Sequence, residues 1–309
     1  MSTIQHLVLS GGGSSLFQLL GACQHLEIHG TWKRNHLKSI FGTSAGAILG
    51  VLLCLDYDWQ TLNDYLIKRP WKDAYKIDIQ TFFDAYSKRG LFDMHAMEIF
   101  FKPLFDAKDI PLSITLQGFY DLYPIDLHFF TLEINEFKIH DISHIDFPDL
   151  PLLQSLQMTC AVPLLLSPVC MQGKCYIDGG AICNYPLNYC LETYPGQENA
   201  ILGFKNVYSD HGSFDIGEQS SLFEFLLNAL HKLISNMNTE PKQPNLENEV
   251  YVKKKVMTLP YLQRVVQSME LRKELLEEGI ACAQDYLTNL TNNKEKVEGS
   301  QTSIIQPQC

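Results

Sequence analysis

The stretch "LKSIFGTSAGAILGVLLCL", from Leu37 to Leu55, determines the fold class that the sequence predicts. Its first apolar segment is typical of a buried strand, and the apolar run from Ala45 is typical of a helix. Between them lies the G-x-S-x-G pattern of a nucleophile elbow, a sharp turn that presents a serine at a strand–helix junction. Gly42 and Gly46 would allow the tight turn that exposes Ser44; alternatively, they only pack a helix on a sheet.

A second strand, turn and helix precede the first. The segment "HLVLSGGGSSLFQLLGA" (6–22) predicts a strand over Gln5–Ser10 and a helix over Leu16–His29, with three consecutive glycines between them. Two such units in succession predict a right-handed βαβ unit with parallel strands. We therefore predict an α/β fold with a mostly parallel central sheet and a helical C-terminal extension.

The remaining segments predict one domain followed by this extension. Trp59–Phe105 is mainly helical in pattern, Leu127–Asn135 begins a hairpin, and Leu222–Met237 is an amphipathic helix. The proline-containing segment Asn238–Glu249 is typical of a surface loop, and a further helix is expected from about Tyr261 to Leu290. We assign residues 1–237 to the domain, residues 238–290 to a linker and a C-terminal helix packed on or beside it, and residues 291–309 to a disordered tail.

Composition and charge exclude several classes of protein. The chain has 309 residues, 46% of them hydrophobic, and its 35 acidic and 24 basic side chains give a formal charge of −11. This charge disfavours a nucleic-acid-binding protein, which needs a basic surface. We see no cleavable signal sequence and no apolar run of membrane-spanning length, so a cytoplasmic location is expected. The nine cysteines include no C-x-x-C pair, which argues against a zinc knuckle or a full disulfide framework.

Three consecutive glycines follow the first predicted strand: Gly11, Gly12 and Gly13. A dinucleotide-binding fingerprint would need a glycine where Leu16 stands and an acidic residue after the next strand, and the sequence has neither. A Walker loop would need Gly-Lys-Ser/Thr, which is absent. We therefore expect no nucleotide at this loop. Its backbone N–H groups would instead stabilise the negative oxygen that forms when Ser44 attacks an ester carbonyl.

A serine nucleophile also needs a base. The segment "YIDGGAICNYP" places Asp178 at the end of a short predicted strand, before a turn formed by Gly179 and Gly180. This carboxylate could accept the proton of Ser44 and return it to the leaving alcohol. Alternatively, Asp178 only caps the turn, as aspartate before glycine often does. A Ser–His–Asp esterase that uses His211 is the second enzymatic hypothesis.

The glycine loop, the G-x-S-x-G elbow and the D-G-G turn, in this order and at this spacing, resemble the patatin-like phospholipases. The stretches "RGLFDMHAMEIFFKPLF", "LQMTCAVPLLLSPV" and "GKCYIDGGAICNYPL" are similar to segments of bacterial and viral members. The resemblance covers about Gln5 to Leu187. It implies a three-layer α/β/α sandwich, a catalytic dyad of Ser44 and Asp178 without histidine, and an oxyanion hole at the glycine loop. It further implies hydrolysis of lipid acyl esters, foremost phospholipids, through an acyl-enzyme and without metal ion or cofactor.

One feature departs from the family pattern. The family's loop continues with a small residue, a basic residue and a glycine, whereas this chain has Ser14, Ser15 and Leu16. The basic side chain is missing, and the Cβ of Leu16 disfavours the positive φ that glycine allows. A differently shaped loop is therefore expected. The intact serine and aspartate favour an active enzyme. The alternative is a weakly active or non-catalytic lipid-binding protein on the same fold.

A lipid hydrolase must meet its substrate at an interface, so transient peripheral contact with a membrane is expected. The segments that could supply this contact are the helix Leu222–Met237, the apolar segment Pro163–Pro168 and the aromatic residues of "TFFDAY" (81–86). For the first two, burial in the core is the simpler expectation, and for the aromatic residues it is packing in the core or in a lid. The sequence does not indicate an oligomeric state.

Overall fold

The protein is described by a computed structural model, which covers residues 3–208, 216–236, 243–255 and 258–302. Its strands, in chain order, are β1 (His6–Leu9), β2 (Ser39–Gly42), β3 (Gly90–Phe92), β4 (Asp126–Glu133), β5 (Lys138–Ile142), β6 (Leu164–Leu166), β7 (Val169–Met171), β8 (Lys174–Asp178), β9 (Ile201–Tyr208) and β10 (Glu249–Lys254).

Its helices are α1 (Leu16–Ile28), α2 (Ala45–Cys54), α3 (Trp59–Asn63), α4 (Trp71–Ala74), α5 (Ile79–Lys88), α6 (Met94–Asp106), α7 (Leu116–Leu122), α8 (Leu152–Cys160), α9 (Leu187–Thr193), α10 (Leu222–Asn236), α11 (Leu259–Gln267) and α12 (Met269–Thr302). A single π-helical segment, Asp64–Lys68, follows α3 in the described chain. No helix of the described residues is long and apolar enough to cross a bilayer.

The central sheet has eight strands in the order β10-β9-β1-β2-β4-β8-β7, and β5 also pairs with β4. The five strands from β10 to β4 are parallel, whereas β8 and β5 run antiparallel to β4. The predicted α/β fold with a mostly parallel sheet is therefore confirmed, as is the parallel pairing of β1 with β2. The hairpin predicted from Leu127 onward is β4 and β5. β3 and β6 form a separate two-stranded sheet.

Both faces of the central sheet are covered, which gives three layers. Because side chains alternate along a strand, Ile40 and Phe41 of β2 point to opposite faces. Ile40 belongs to the large core that includes residues of α1, α2, α8 and α12, whereas Phe41 belongs to a smaller core that includes Leu187 and Cys190 of α9. Strands buried on both faces read as continuous apolar runs, which is why the sequence identified them.

The C-terminal region contributes more to the fold than the sequence indicates. Within residues 238–290, predicted as a linker and a helix, β10 adds a parallel strand to the edge of the sheet. α12 crosses α1 so closely that a Cβ at Gly21 would lie 2.2 Å from the carbonyl oxygen of Leu276, and one at Gly279 would lie 1.9 Å from that of Gln18. The expected helix from about Tyr261 is two helices, because the chain bends at Ser268 between α11 and α12.

The tail also differs from its prediction. Disorder was expected over residues 291–309, but α12 continues to Thr302, and residues 303–309 lie outside the described part of the chain. The segment after Leu290 is polar yet contains no proline before residue 303, so the backbone can extend a helix whose first half is anchored by the buried side chains of Leu271 and Leu275.

Two segments expected in the core are exposed instead. The side chains of Phe82, Phe83 and Tyr86 in α5 are 44%, 70% and 94% exposed. In α10, Leu227 is buried as expected but Leu226 remains 43% exposed, and Met237 lies outside the described residues. Helical periodicity predicted an apolar stripe on the helix from Leu222, but periodicity does not specify that another element covers the stripe.

Most of the described cysteines are free thiols. Cys23, Cys54, Cys160, Cys190 and Cys282 are buried free thiols. Within the described part of the chain there is one bridge: Cys170 of β7 and Cys175 of β8 are register partners and form a disulfide. This local bridge, which the sequence did not predict, closes the β7–β8 hairpin.

Candidate functional site

Strand register brings the predicted serine and aspartate to one place in the sheet. Gly42, at the end of β2, pairs with Phe129 of β4, and Asp178, at the end of β8, pairs with Thr131 of the same strand. Ser44 follows Gly42 by two residues, so it emerges beside the end of β8. The Ser44 hydroxyl lies near enough to the Asp178 carboxyl that hydrogen bonding from it lowers the pKa of that carboxyl. Both residues are 7% exposed.

The elbow around Ser44 has strained backbone geometry. Ser44 has φ 53° and ψ −117°, a conformation that residues with a Cβ rarely adopt. Its backbone N–H donates a hydrogen bond of 3.0 Å to Thr159 Oγ1, and that hydroxyl donates one of 2.6 Å to the carbonyl of Phe130. Thr159 thus ties the elbow to β4. The strained turn directs the serine side chain away from the strand, above the N-terminus of α2.

The two glycines of the elbow are required by close packing. A Cβ at Gly46 would lie 2.3 Å from the carbonyl oxygen of Leu9, in the neighbouring strand β1. A Cβ at Gly42 would lie 2.7 Å from the backbone nitrogen of Ala47. In both cases the obstacle is backbone rather than a movable side chain. The interpretation that these glycines allow the turn therefore fits the observed geometry.

Asp178 lies in a buried, hydrogen-bonded turn. Its backbone N–H donates to the carbonyl of Ala161 at 3.0 Å, and its Oδ1 accepts a hydrogen bond of 2.7 Å from the backbone N–H of Gly180. A Cβ at Gly179 would lie 2.3 Å from the carbonyl oxygen of Phe130, so glycine is needed there as well. The turn holds the carboxyl group in place.

Burial raises the pKa of Asp178 from 3.8 to about 6. Hydrogen bonds from Ser44 and from the backbone of Gly180 oppose this rise, and so does the positive charge of Lys254. Desolvation is the larger effect because it disfavours the charged carboxylate. A carboxyl group that titrates near 6 is a stronger base than an ordinary aspartate, yet it is ionised at neutral pH.

The glycine loop lies directly beside Ser44. A Cβ at Gly11 would lie 3.2 Å from the Cβ of Ser44, and its backbone N–H donates a hydrogen bond of 2.9 Å to the carbonyl of Asn184. Gly11 therefore shapes the loop rather than offering a free donor. Among the described residues, none accepts a hydrogen bond from the N–H of Gly12 or Gly13.

The loop does not need a glycine where Leu16 stands. Gly13 has a φ of +56°, in the left-handed region, and Leu16 has φ −46° and ψ −44°, which is ordinary right-handed helix. The replacement of glycine by Leu16 is thus compatible with the observed turn. The expected difference in loop shape has no basis in the backbone at this position.

Asn206 of β9 holds the loop, and no sequence motif predicts this role. Its Nδ2 donates to the carbonyl of Gly11 at 2.7 Å and to Ser15 Oγ at 2.8 Å, and its backbone N–H donates to Ser10 Oγ at 3.1 Å. Ser15, which stands where the family has a basic residue, is thereby part of a neutral hydrogen-bond network. Asn206 and Thr159 belong to no local motif, so only the tertiary contacts reveal them.

The second enzymatic hypothesis, which uses His211, stays a prediction. His211 lies outside the described residues. Among residues that the structure does describe, no group of three or more His, Cys, Asp or Glu side chains is arranged to hold a metal ion.

Several known proteins are similar to this chain. The family model for patatin-like phospholipases matches residues 7–191. The probable lipid hydrolase 463L of Invertebrate iridescent virus 6 is 27% identical over 195 residues, which are 62% of this chain and 65% of the relative. The uncharacterized protein R571 of Acanthamoeba polyphaga mimivirus is 24% identical over 187 residues, 60% of this chain and 61% of that protein. The chain therefore spans less than two thirds of these curated relatives.

A solved structure shares the fold. VipD from Legionella pneumophila aligns with a TM-score of 0.54 and 17% identity, over 93% of this chain and 67% of VipD. Because the family model covers more than half of its length, the chain belongs to the patatin-like phospholipase family. The resemblance inferred from the three motifs is confirmed.

Proposed function

We propose that this protein is a lipid acyl hydrolase in which Ser44 is the nucleophile and Asp178 the base, with phospholipids as the foremost substrates. The observation that carries the proposal is the buried Ser44–Asp178 pair beside the N–H groups of Gly12 and Gly13, which find no acceptor in the described part of the chain. Membership of the family and the relative named as a probable lipid hydrolase support a lipid ester as substrate.

In the first half of the proposed reaction, Asp178 accepts the proton of the Ser44 hydroxyl while the oxygen attacks the ester carbonyl carbon. The N–H groups of Gly12 and Gly13 and the N-terminus of α2 stabilise the oxyanion. Collapse of the intermediate breaks the bond to the alcohol, which leaves with the proton from Asp178. The acyl group remains on Ser44 as an ester.

In the second half, Asp178 accepts a proton from water, and the resulting hydroxide attacks the acyl-enzyme. A second oxyanion forms in the same position, the bond to Ser44 breaks, and the serine oxygen takes the proton back from Asp178. The products are a fatty acid and free enzyme. No step of this sequence calls for a metal ion, so we expect activity to persist in a chelator.

Phospholipid substrates are packed in aggregates, so the proposal includes transient contact with a membrane surface. The ester bond must leave the lipid layer and reach a serine that is 7% exposed. A path of apolar side chains beside the catalytic pair would let the acyl chain follow the ester into the protein, because apolar surface solvates such a chain better than water does.

The test compares Ser44→Ala and Asp178→Asn with wild type on a soluble chromogenic acyl ester and on phospholipid vesicles. Both variants should lose at least about a thousandfold in kcat on either substrate. Ser113→Ala, at an exposed serine, is the matched control and should keep wild-type rates. Retention of activity in either active-site variant, or its loss in His211→Ala alone, would contradict the dyad.

A further inference from the structure

Helix α5 carries an apolar stripe that faces solvent. Ile79, Phe82, Phe83 and Tyr86 occupy positions i, i+3, i+4 and i+7, so they share one face of the helix. Their side chains are 76%, 44%, 70% and 94% exposed, and no residue of α5 is buried. An amphipathic helix on a protein surface normally turns such a stripe toward the core. Here the orientation is reversed.

Helix α10 extends the apolar area. The ring of Phe223 meets that of Phe82 edge-to-face, with ring centroids 5.8 Å apart, and so joins the two helices. Four further apolar side chains of α10 are between 43% and 74% exposed: Leu222, Phe225, Leu226 and Leu233. We call these eight exposed side chains of α5 and α10, with Phe223, the α5–α10 surface. Exposed apolar area of this extent marks an interaction site in natural proteins.

The inner side of this surface continues to the candidate active site. Leu227 of α10 is buried in one cluster with Leu165 of β6, and Ala85 of α5 packs against the same cluster. Val162, which also packs there, is the neighbour of Ala161, whose carbonyl accepts the backbone N–H of Asp178. A series of apolar contacts therefore links α10 to Val162, whose neighbour Ala161 is hydrogen-bonded to the backbone of Asp178.

The charge around α5 fits an anionic lipid surface. The whole chain carries a formal charge of −11, but residues 69–89 contain five Lys or Arg against three Asp. Two of these cations, Lys88 and Arg89, lie at the C-terminal end of the stripe, and both are exposed. Lys88 also pairs with Asp93 at 3.0 Å, so Arg89 supplies the less neutralised charge. Basic residues beside an apolar helix face favour anionic headgroups.

We propose that the α5–α10 surface docks on a phospholipid bilayer and brings the Ser44–Asp178 site close to it. This inference rests on the proposed function and adds where the membrane is met. Phe83, Tyr86 and Leu226 would enter the interfacial region, as aromatic and leucine side chains of interfacial helices do. The cluster behind them, which includes Leu165, would border the route that an acyl chain follows toward Ser44.

Binding and hydrolysis can be measured separately. Vesicles of phosphatidylcholine with phosphatidylserine are sedimented with full-length Ser44→Ala protein, so that no lipid is consumed. The triple variant Phe83→Ser, Tyr86→Ser, Leu226→Ser on this background should bind at least about tenfold more weakly, because three large apolar contacts are removed. With Ser44 intact, the triple variant should lose a similar factor on vesicles. It should stay within about twofold of wild type on a soluble short-chain ester, whose hydrolysis needs no docking.

The matched control replaces exposed apolar residues elsewhere. Leu122→Ser and Ile145→Ser alter side chains that are 56% and 67% exposed and lie outside α5 and α10. This double variant should bind vesicles like wild type. A far-UV circular dichroism melt checks that each variant is folded. Wild-type vesicle binding by the folded triple variant would overturn the proposal. A dimeric wild type and a monomeric triple variant would also overturn it, because a second copy of the chain would then occupy the surface.

The two proposals fail in different ways. If wild type binds vesicles through this surface but hydrolyses neither vesicle lipid nor soluble ester, the docking proposal stands and the proposed hydrolase function falls. If the triple variant hydrolyses vesicle lipid at the wild-type rate, the hydrolase function stands and the docking proposal falls.

Discussion

The sheet edge that carries Ser44 and Asp178, the candidate catalytic edge, and the α5–α10 surface differ in which side chains they bury. At the candidate catalytic edge, polar groups such as Asp178 and Thr159 are buried and fixed by hydrogen bonds to backbone. On the α5–α10 surface, large apolar groups such as Phe83 and Tyr86 are exposed. Folding by itself favours neither arrangement, because burial of a carboxylate and exposure of aromatic rings both lower the stability of the folded state. We infer that chemistry maintains the first and substrate contact the second.

The largest expected effect comes from substitution of Asp178, at the sheet edge. Asp178→Asn removes the base and should lower kcat on a soluble ester by about 10³ to 10⁴. The variant should nevertheless be more stable at pH 8, by up to about 3 kcal/mol, because a buried ionised carboxylate is replaced by a neutral amide. Steady-state kinetics and urea unfolding measure the two quantities. Asp285→Asn, at an exposed residue of α12, should change neither. Loss of both activity and stability would indicate a structural role for Asp178.

The same carboxyl group predicts the pH dependence. Its pKa is raised from 3.8 to about 6 in the folded protein, so its contribution to stability is fully present below pH 3.8 and is lost as the pH rises through about 6. The stability difference between Asp178→Asn and wild type should therefore vanish below about pH 3.8, grow between about pH 3.8 and 6, and stay nearly constant above that range. The rate on a soluble ester should rise through the same range, because the base must be ionised. A flat profile from pH 5 to 8 would exclude this assignment.

The next effect concerns the packing of the elbow. Gly46→Ala would place a Cβ 2.3 Å from the backbone oxygen of Leu9, so either β1 or α2 must move. We expect a loss of about 3 kcal/mol or more in the free energy of unfolding, at the upper end of what overpacking causes. Gly50→Ala in the same helix is the control, because its nearest neighbour is the side chain of Ile40 at 3.2 Å, which can adjust. Equal stability of the two variants would show that the elbow has room.

The sequence could predict the candidate catalytic edge because its signals are local. Glycines and the serine stand within six residues of one another in the elbow, and β1 and β2 read as buried strands on their own. Parallel strands then end at the same edge by topology alone, which placed Gly11 beside Ser44. Asp178 was found for the same reason, from a strand and a glycine turn.

What the sequence could not predict depends on distant partners. The hydrogen bond between Asn206 and Gly11 joins residues 195 positions apart, and β10 becomes a strand through its pairing with β9. The exposure of Phe83 likewise depends on which elements do not cover α5. Core burial of the aromatic residues of α5 was the wrong expectation, because residue type and spacing alone do not distinguish an exposed apolar face from a buried one.

A moderate effect is expected at the residue that positions the glycine loop. Asn206→Asp keeps the shape of the side chain but loses the two N–H donors to Gly11 and Ser15. We expect kcat on a soluble ester to fall by about 10- to 100-fold with little change in KM, because a displaced loop stabilises the oxyanion less well. Asn289→Asp, at an exposed position in α12, is the control. An unchanged kcat would mean that Gly12 and Gly13 are held by other contacts.

The smallest expected effect is on stability, at an exposed residue of the α5–α10 surface. Phe83→Ala removes a ring that is 70% exposed, so the free energy of unfolding should change by less than about 0.5 kcal/mol. Leu227→Ala, on the buried side of the same surface, removes a side chain that is 5% exposed and should cost about 2 to 5 kcal/mol. Urea unfolding of both variants tests this difference. If Phe83→Ala were as destabilising as Leu227→Ala, the stripe would serve the fold, and the reason to assign it to a membrane would disappear.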